Sequence, residues 1–462
     1  MPELKSPAAY SPMMQHYLEV KKLHPDCLLM YRMGDFYELF FADATVAAKE
    51  LEITLTARES AGERVPMAGV PHHAVEGYLG RLIEKGYRIA ICEQVEDPRQ
   101  AKGLVKREIT RLVTPGTLLE AHYLSEKQNN FLAALYRGAK GFGLAYCDIS
   151  TGEFMATEIG NPALVASELQ RLAASEILVP VPPALWQEVA WGRGQICLTP
   201  ERLDPAWAEA MVGCHALTPR PEQLFKAEQA KRAILEHFKI LTLEPFGLAE
   251  KPMATAACGA LLAYIAETQC QRLPPFQAIV TYQLADFMWL DADTRRNLEL
   301  LQTARAAQTS GSLLAVLDIT LTPMGGRRLR SWLLHPLLNT AAIQARQAAV
   351  TELLAATSQR QRIVRALSQV RDLERIATRI TTGTVYPREL IALRDSLEAL
   401  PELSAALARF TSTLLAPLQS LPEQSGELAT LIRRTLVDNP PATITEGGLI
   451  RPGITTEIDR LR

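Results

Sequence analysis

YRMGDFYELF (Tyr31–Phe40) places two β-rich pieces on either side of Gly34-Asp35. Glycine and aspartate are turn formers, so the stretch reads as a chain reversal between extended segments. With Phe36 to Leu39 extended, alternation points Phe36 and Glu38 to one face. An aromatic ring and a carboxyl then arrive at one place. The residues leave a second reading open: Asp35-x-x-Glu38 also fits a helix capping box, with Phe36, Tyr37 and Phe40 as core.

Working outward, Ser11 to Leu119 alternates β-like runs (LLMYRM, RIAICEQ, EITRLV) with amphipathic helical ones (ATVAAKELE, AVEGYLGRLIEKG), which predicts a compact α/β domain. From Asn130 the pattern restarts. Phe131–Tyr136 and Gly143–Ile149 read as strands around a turn at Gly138–Gly141, and Glu153–Glu158 as a third strand. A helix (Ala163–Ala174) and a buried strand (Glu176–Val181) follow, an order that suits an RNase H-like layer fold. After about Thr255 the chain turns helical: Leu261–Gln271, Asp291–Leu301, Gly326–Leu334, then long Ala/Leu/Arg/Gln-rich stretches from Thr340 to Leu407. Thr443–Pro452 is β-like again, and Thr455–Arg462 begins as a helix without a stop signal. The expected architecture is multidomain: α/β over 1–122, α/β and RNase H-like over 123–252, all-α with long helices over 253–442, and the start of a further piece over 443–462.

Of 462 residues, 48% are hydrophobic and 22% charged, ordinary for a soluble protein of several domains. The seven cysteines stand singly, with no C-x-x-C pair; that fits a reducing cytoplasm and argues against a disulfide frame or a zinc site. His72-His73 lacks a third ligand at a suitable spacing. No apolar run is long enough to span a membrane. Formal net charge is −2, so composition carries no nucleic-acid footprint and any such role rests on local residues.

Beyond Tyr31–Phe40, the motifs VPMAGVPHHAVEGYL (Val65–Leu79), AICEQVEDP (Ala90–Pro98), RLVTPGT (Arg111–Thr117), LDADTRRNLEL (Leu290–Leu300) and LDITLTPMGGRRLRSWLLHPL (Leu317–Leu337) follow in order. Together they are similar to the MutS family of DNA mismatch repair proteins, whose reading loop centres on Phe-x-Glu, here Phe36-Tyr37-Glu38. The resemblance implies a mismatch-binding domain, a connector domain and a helical core or lever domain, with Gly447–Gly453 similar to the entry of a clamp. It implies as partners duplex DNA with mismatches or small loops, a homodimer and a MutL-type repair protein, in a cytoplasmic, nucleoid-associated setting.

An apolar wedge in the minor groove unstacks a base step; the cost is least where pairing is already poor. Phe36 is the expected wedge and Glu38 the group that accepts or shares a proton with the displaced base. Met33 and Met67 are candidates to line the wedge, and Arg58, Arg64, Arg99, Lys102, Lys106, Arg107 and Arg111 for phosphate contacts. Two rivals stand beside this reading. One is a junction-binding relative without mismatch reading. The other is a nuclease on the RNase H-like domain, with Asp148 as first carboxylate; Asp148 is instead expected to cap the Ile149–Gly152 turn. The family's ATPase uses ATP and Mg through a Walker A loop, G-x-x-x-x-G-K-[ST]. No Gly-Lys pair occurs in the 462 residues, so the chain is expected to be an N-terminal portion with no cofactor of its own and no enzymatic activity. Incubated with ATP and Mg after stringent purification, it should show neither nucleotide binding nor turnover above blank.

Overall fold

The computed structural model describes residues 10–60, 62–96, 105–181, 205–212, 217–269, 276–420, 424–441 and 444–461. They fall into two units. The first takes in residues up to Leu118 with Asn130–Ile149 and Phe154–Thr281; the second takes in Leu119–Asn129, Ser150–Glu153 and the described residues from Tyr282 on.

Two six-stranded sheets build the first unit. Strands β1 (Leu28–Met33), β2 (Phe36–Phe40), β3 (Thr56–Ser60), β4 (Glu63–Pro71), β5 (Ile89–Gln94) and β6 (Arg107–Val113) form a sheet of order β3-β4-β2-β1-β5-β6. The hairpin at its centre pairs Met33 with Phe36 around Gly34-Asp35. Gly34 takes φ +57 there, the positive value that a tight hairpin turn demands of its first loop residue and that glycine supplies without steric cost. Helix Pro12–Leu23 starts on a proline at its first turn, and its buried face is Met13, Met14, Tyr17 and Val20. That face packs on Leu29, Tyr31, Phe40, Val65, Ala90 and Cys92 in one core cluster, with the Tyr17 ring edge-on to Phe40 at 5.1 Å.

The second sheet holds β7 (Leu132–Gly138), β8 (Gly141–Asp148), β9 (Glu153–Ile159), β10 (Glu176–Val181), β11 (Leu217–Pro221) and β12 (Val280–Thr281), in the order β11-β10-β7-β8-β9-β12. Three sequential strands, then two that add in parallel beside the first, make the RNase H-like layer the sequence predicts. The buried runs LAAL and ILVPV supply its strands, as expected where both faces are covered.

One expected boundary moves. Helix Pro252–Thr268 falls within the expected all-α span 253–442, yet it is buried nearly all round on this sheet. It lies so close to β8 that a Cβ on Gly143 would meet the Met253 carbonyl at 2.0 Å. β12 pairs with β9 beyond it, so the RNase H-like part runs to Thr281 and not to residue 252.

Between the two sheets the first unit is knit by polar groups. The Glu176 carboxyl accepts from Thr114 Oγ1 at 2.5 Å, Gly116 N at 3.1 Å, Thr218 Oγ1 at 2.9 Å and Tyr264 Oη at 2.5 Å. Tyr264 Oη in turn accepts from Arg88 Nη2 at 3.1 Å, and Arg88 pairs with Asp26. The Arg220 guanidinium stacks 4.3 Å over the Tyr264 ring.

The second unit is helical. The stretch from Thr340 to Leu407 is broken into Thr340–Ala355, Thr357–Leu367, Leu373–Thr382 and Pro387–Leu407. Asp372 caps the third through Arg375 N, and Gly383 ends it in the left-handed region. The expected helix over Asp291–Leu301 is shorter, Ala292–Asn297. Buried arginines fasten the segment Leu119–Asn129 to these helices. Arg327 donates to the Glu126 carbonyl and is forked onto Asp372, and Arg375 donates to the carbonyls of Ser125 and Gln128. Lys127 reaches Asp318 at 2.9 Å by passing over Gly326, where any Cβ would sit 2.6 Å from its stem. The described part of 443–462 does not stand apart: Ile450 bridges Leu436, and Leu449 and Ile450 pack on Ile376, Leu393 and Ile432.

Removing the Glu176 carboxyl would strand four buried donors, each costing about 1–3 kcal/mol. Urea denaturation of Glu176→Ala should therefore show a loss of at least about 3 kcal/mol. Under 1 kcal/mol lost, on the scale of a surface substitution, would mean the junction is not held by this group.

Candidate functional site

The hairpin resolves the two readings of Tyr31–Phe40. Phe36–Phe40 is a strand, not a capped helix, and exposure alternates along it. Tyr37 and Leu39 are buried beneath the sheet, while Phe36 is 46% exposed. Tyr37 is held there by Glu93 through its hydroxyl and by Arg32 over its ring.

Cross-strand pairing then decides what shares a face with Phe36 and Glu38. Met33 faces Phe36 and Tyr31 faces Glu38 across β1; Gly69 faces Glu38 across β4, and Thr56 faces Met67 across β3. Helix Pro12–Leu23 covers the Tyr31 and Phe40 end of this face and leaves the Phe36 end open. The opening is a cleft of ≈ 520 Å³ lined by Phe36, Glu38, Glu52, Ile53, Thr54, Thr56, Met67 and Gly69. Gly69 keeps it open: the nearest neighbours of a Cβ there would be Tyr37 O, Glu38 Cγ and Phe36 Cδ1 at 3.6–3.8 Å. Larger side chains would fill the gap between the Phe36 ring and the carboxyl.

Glu38 Oε2 is buried without a hydrogen-bond partner. Arg58 Nη1 stands 3.6 Å from it, an ion contact without a hydrogen bond. Withdrawal from water pushes the Glu38 carboxyl above its ordinary value, and the Arg58 charge opposes that only in part.

The other expected contact residues divide. Arg64 is exposed on β4. Lys106 is exposed and paired with Glu108 at 2.6 Å. Met33 and Met67 are partly buried and pack against the core cluster, Met67 also lining the cleft. Arg107 departs from expectation: it is 9% exposed. Its Nε and Nη1 donate to the carbonyls of Arg32 and Val105, and its head lies over the Tyr31 ring. An arginine spent on backbone carbonyls braces the sheet and has little left for a phosphate. Arg111 is half-buried opposite Ile91. Arg99 and Lys102 lie outside the described residues. Pairing brought in what sequence reading missed, namely Gly69, Thr56 and the Ile53–Thr54 corner, because contact across β3 and β4 leaves no mark along the chain.

Asp148 is fully buried and accepts from Asn130 N at 3.1 Å. Among the described residues no group of three or more His, Cys, Asp or Glu is placed to hold a metal ion. The His72 and His73 rings stand edge to face, 6.0 Å apart. No described helix is long and apolar enough to cross a membrane.

A carboxyl whose proton affinity rises on folding destabilises the fold once ionised. The cost is absent below the ordinary glutamate range and fully present above the raised value. Glu38→Gln should therefore melt higher than the parent at pH 7, and the gain should vanish as pH falls through that range. A parent and variant with parallel Tm profiles over pH 3–8 would refute a desolvated Glu38.

Residues 11–122 match the family model for MutS domain I, 130–277 that for MutS domain II, and 293–460 that for MutS domain III. Among curated relatives, the DNA mismatch repair protein MutS of Thermosynechococcus vestitus is 47% identical over 455 residues, 98% of this chain and 51% of the relative. Proteins of the same name from Acaryochloris marina and Synechococcus elongatus are 46% and 47% identical, again over 98% of this chain and 51% of each relative. The chain thus spans about half the length of the curated relatives it matches. The domain I match covers the Phe36–Glu38 hairpin, domain II the RNase H-like sheet and domain III the helical unit, so the chain belongs to the MutS family across its domains I, II and III.

Proposed function

We propose that this chain binds duplex DNA at mismatches and small loops, with Phe36 as the inserted wedge and Glu38 as the partner of the displaced base. One observation carries the reading: an exposed ring and a desolvated, unpartnered carboxyl oxygen share one open face of a rigid sheet. A core phenylalanine would not be left half in water at the end of a hairpin. A carboxyl beside DNA phosphates is repelled unless it gains a hydrogen bond, and Glu38 has an acceptor free to gain one.

The energetics favour defects over correct pairs. Stacking a base on an aromatic ring returns about 1–3 kcal/mol. Unstacking a paired step costs about a few kcal/mol, and less where pairing is poor. The two terms nearly cancel on intact duplex, so the sign changes at a mismatch. Readout is then of deformability and not of sequence. A net charge of −2 suits this, since strong backbone attraction would hold the protein on correct DNA. Arg58, Arg64 and Lys106 are assigned to backbone contacts that position without specifying.

A relative that only grips junctions has no use for a ring and a carboxyl on one open face, which is why that reading ranks second. Steps that consume ATP and most of the dimer contact are assigned to the half of the relatives that this chain does not span, and hand-over to a MutL-type partner to the whole protein. With no Gly-Lys pair in the sequence, no nucleotide step is routed through these residues.

Phe36→Ala tests the wedge. Binding to matched duplex should change little, whereas the preference for a mismatched duplex should fall by about 1–3 kcal/mol, roughly 5- to 150-fold. Thermal stability should hold, because the ring is 46% exposed. A core role predicts the reverse, about 3–5 kcal/mol of lost stability and weakened binding to both duplexes.

A further inference from the structure

Glu38 and Arg58 form an incomplete pair. The 3.6 Å between Arg58 Nη1 and Glu38 Oε2 exceeds the roughly 2.7–2.9 Å of a charge-assisted hydrogen bond. Oε2 stays buried and unbonded as a result. Arg58 reaches it from the edge strand β3, where it pairs with Val65 of β4, while Glu38 pairs with Gly69 on the other side of that strand. The Arg58 side chain is 45% exposed, against 19% for Glu38. The head group also approaches Met33 Sδ, 3.9 Å from Nη1, a weak acceptor. The guanidinium is therefore a counter-charge that is near, loosely held and open to solvent.

The other groups around the carboxyl leave Arg58 as its counter-charge. Glu52, at the end of helix Phe41–Leu51, lines the same cleft and adds negative charge. Tyr31, facing Glu38 across β1, hydrogen-bonds His16 Nδ1 at 2.9 Å.

Resting on the wedge-and-carboxyl reading above, we propose that Arg58 is a positioning residue: it stands as the counter-charge to Glu38 in the free protein, and its withdrawal to the DNA backbone lets Glu38 take one proton from solvent and donate it as a hydrogen bond to the displaced base. Phosphate is the better partner for an exposed guanidinium, because it can take a bidentate pair where Glu38 meets Arg58 through one oxygen at 3.6 Å. When the head group leaves, burial acts on the carboxyl unopposed. Water supplies the proton, Glu38 Oε2 holds it, and a ring nitrogen of the base accepts the hydrogen bond. Binding and protonation are then coupled, and the repulsion between carboxylate and phosphates is removed at the moment of contact.

The test measures, from pH 5.5 to 8.5, the affinity of this chain for a duplex with one unpaired adenine divided by that for the matched duplex. The ratio cancels the phosphate contact that any Arg58 variant loses. In the parent it should fall as pH rises. Arg58→Gln should raise the ratio at pH 7 by up to about tenfold and move the onset of the fall to higher pH, since the free protein already favours the proton. Arg58→Lys should follow the parent, and Glu38→Gln should be flat. An Arg58→Gln profile that overlays the parent, while Glu38→Gln is flat, overturns the role of Arg58 and leaves the site reading standing. A parent ratio independent of pH also overturns it. A sloping Glu38→Gln profile, or no mismatch preference in the parent, removes the site reading and this role with it.

Discussion

The first unit depends on one carboxyl group. Glu176 is the opening residue of β10, and it gathers donors from the segment after β6, from β11 and from helix Pro252–Thr268. These are the parts that must meet if the sheet carrying Phe36 and Glu38 is to be held against the second sheet. Tyr264 extends the set to Arg88 and Asp26, at the feet of β5 and β1. Burial drives the Tyr264 hydroxyl well above its ordinary value, so it keeps its proton and serves as donor to Glu176 and acceptor from Arg88 at once. Such a network, once satisfied, fixes a single arrangement, because each member strands another if it moves.

Much of this was legible in the sequence, for identifiable reasons. The turn residues Gly34-Asp35 and the alternation in FYELF carry the hairpin, and the restart at Asn130 carries the second sheet. These signals are local. Helix Pro252–Thr268 packs on the second sheet and not in the all-α part, which its sequence does not show, because periodicity reports that a helix is apolar and not what it packs against. The same limit applies to Arg107, whose charge reads as a surface feature until Tyr31 and the Arg32 carbonyl are seen around it. Motif order is a separate kind of signal. It pointed to the family before any contact was known, and the domain matches agree with it over 11–122, 130–277 and 293–460.

In the second unit, charge does work that apolar packing usually does. Arg327, Arg375, Arg379 and Arg394 are all nearly buried, and two of them hold Leu119–Asn129 by its carbonyls. Past the short 3-10 turn Ala121–Tyr123 the segment has no helix or strand to pair its carbonyls, and arginine's fork of donors suits them. Leucines in those positions would leave the same carbonyls buried and unmet.

Gly69 has a different kind of consequence. Its backbone is not in a region reserved for glycine, and a Cβ would meet its neighbours at ordinary contact distance. A bulkier residue would lie over the cleft and not in the core. The resulting protein would fold, accumulate and pass every assay of quantity while the cleft stood plugged. On the proposed reading, such a lesion would be silent in expression and visible only as a lost preference for mismatched over matched duplex.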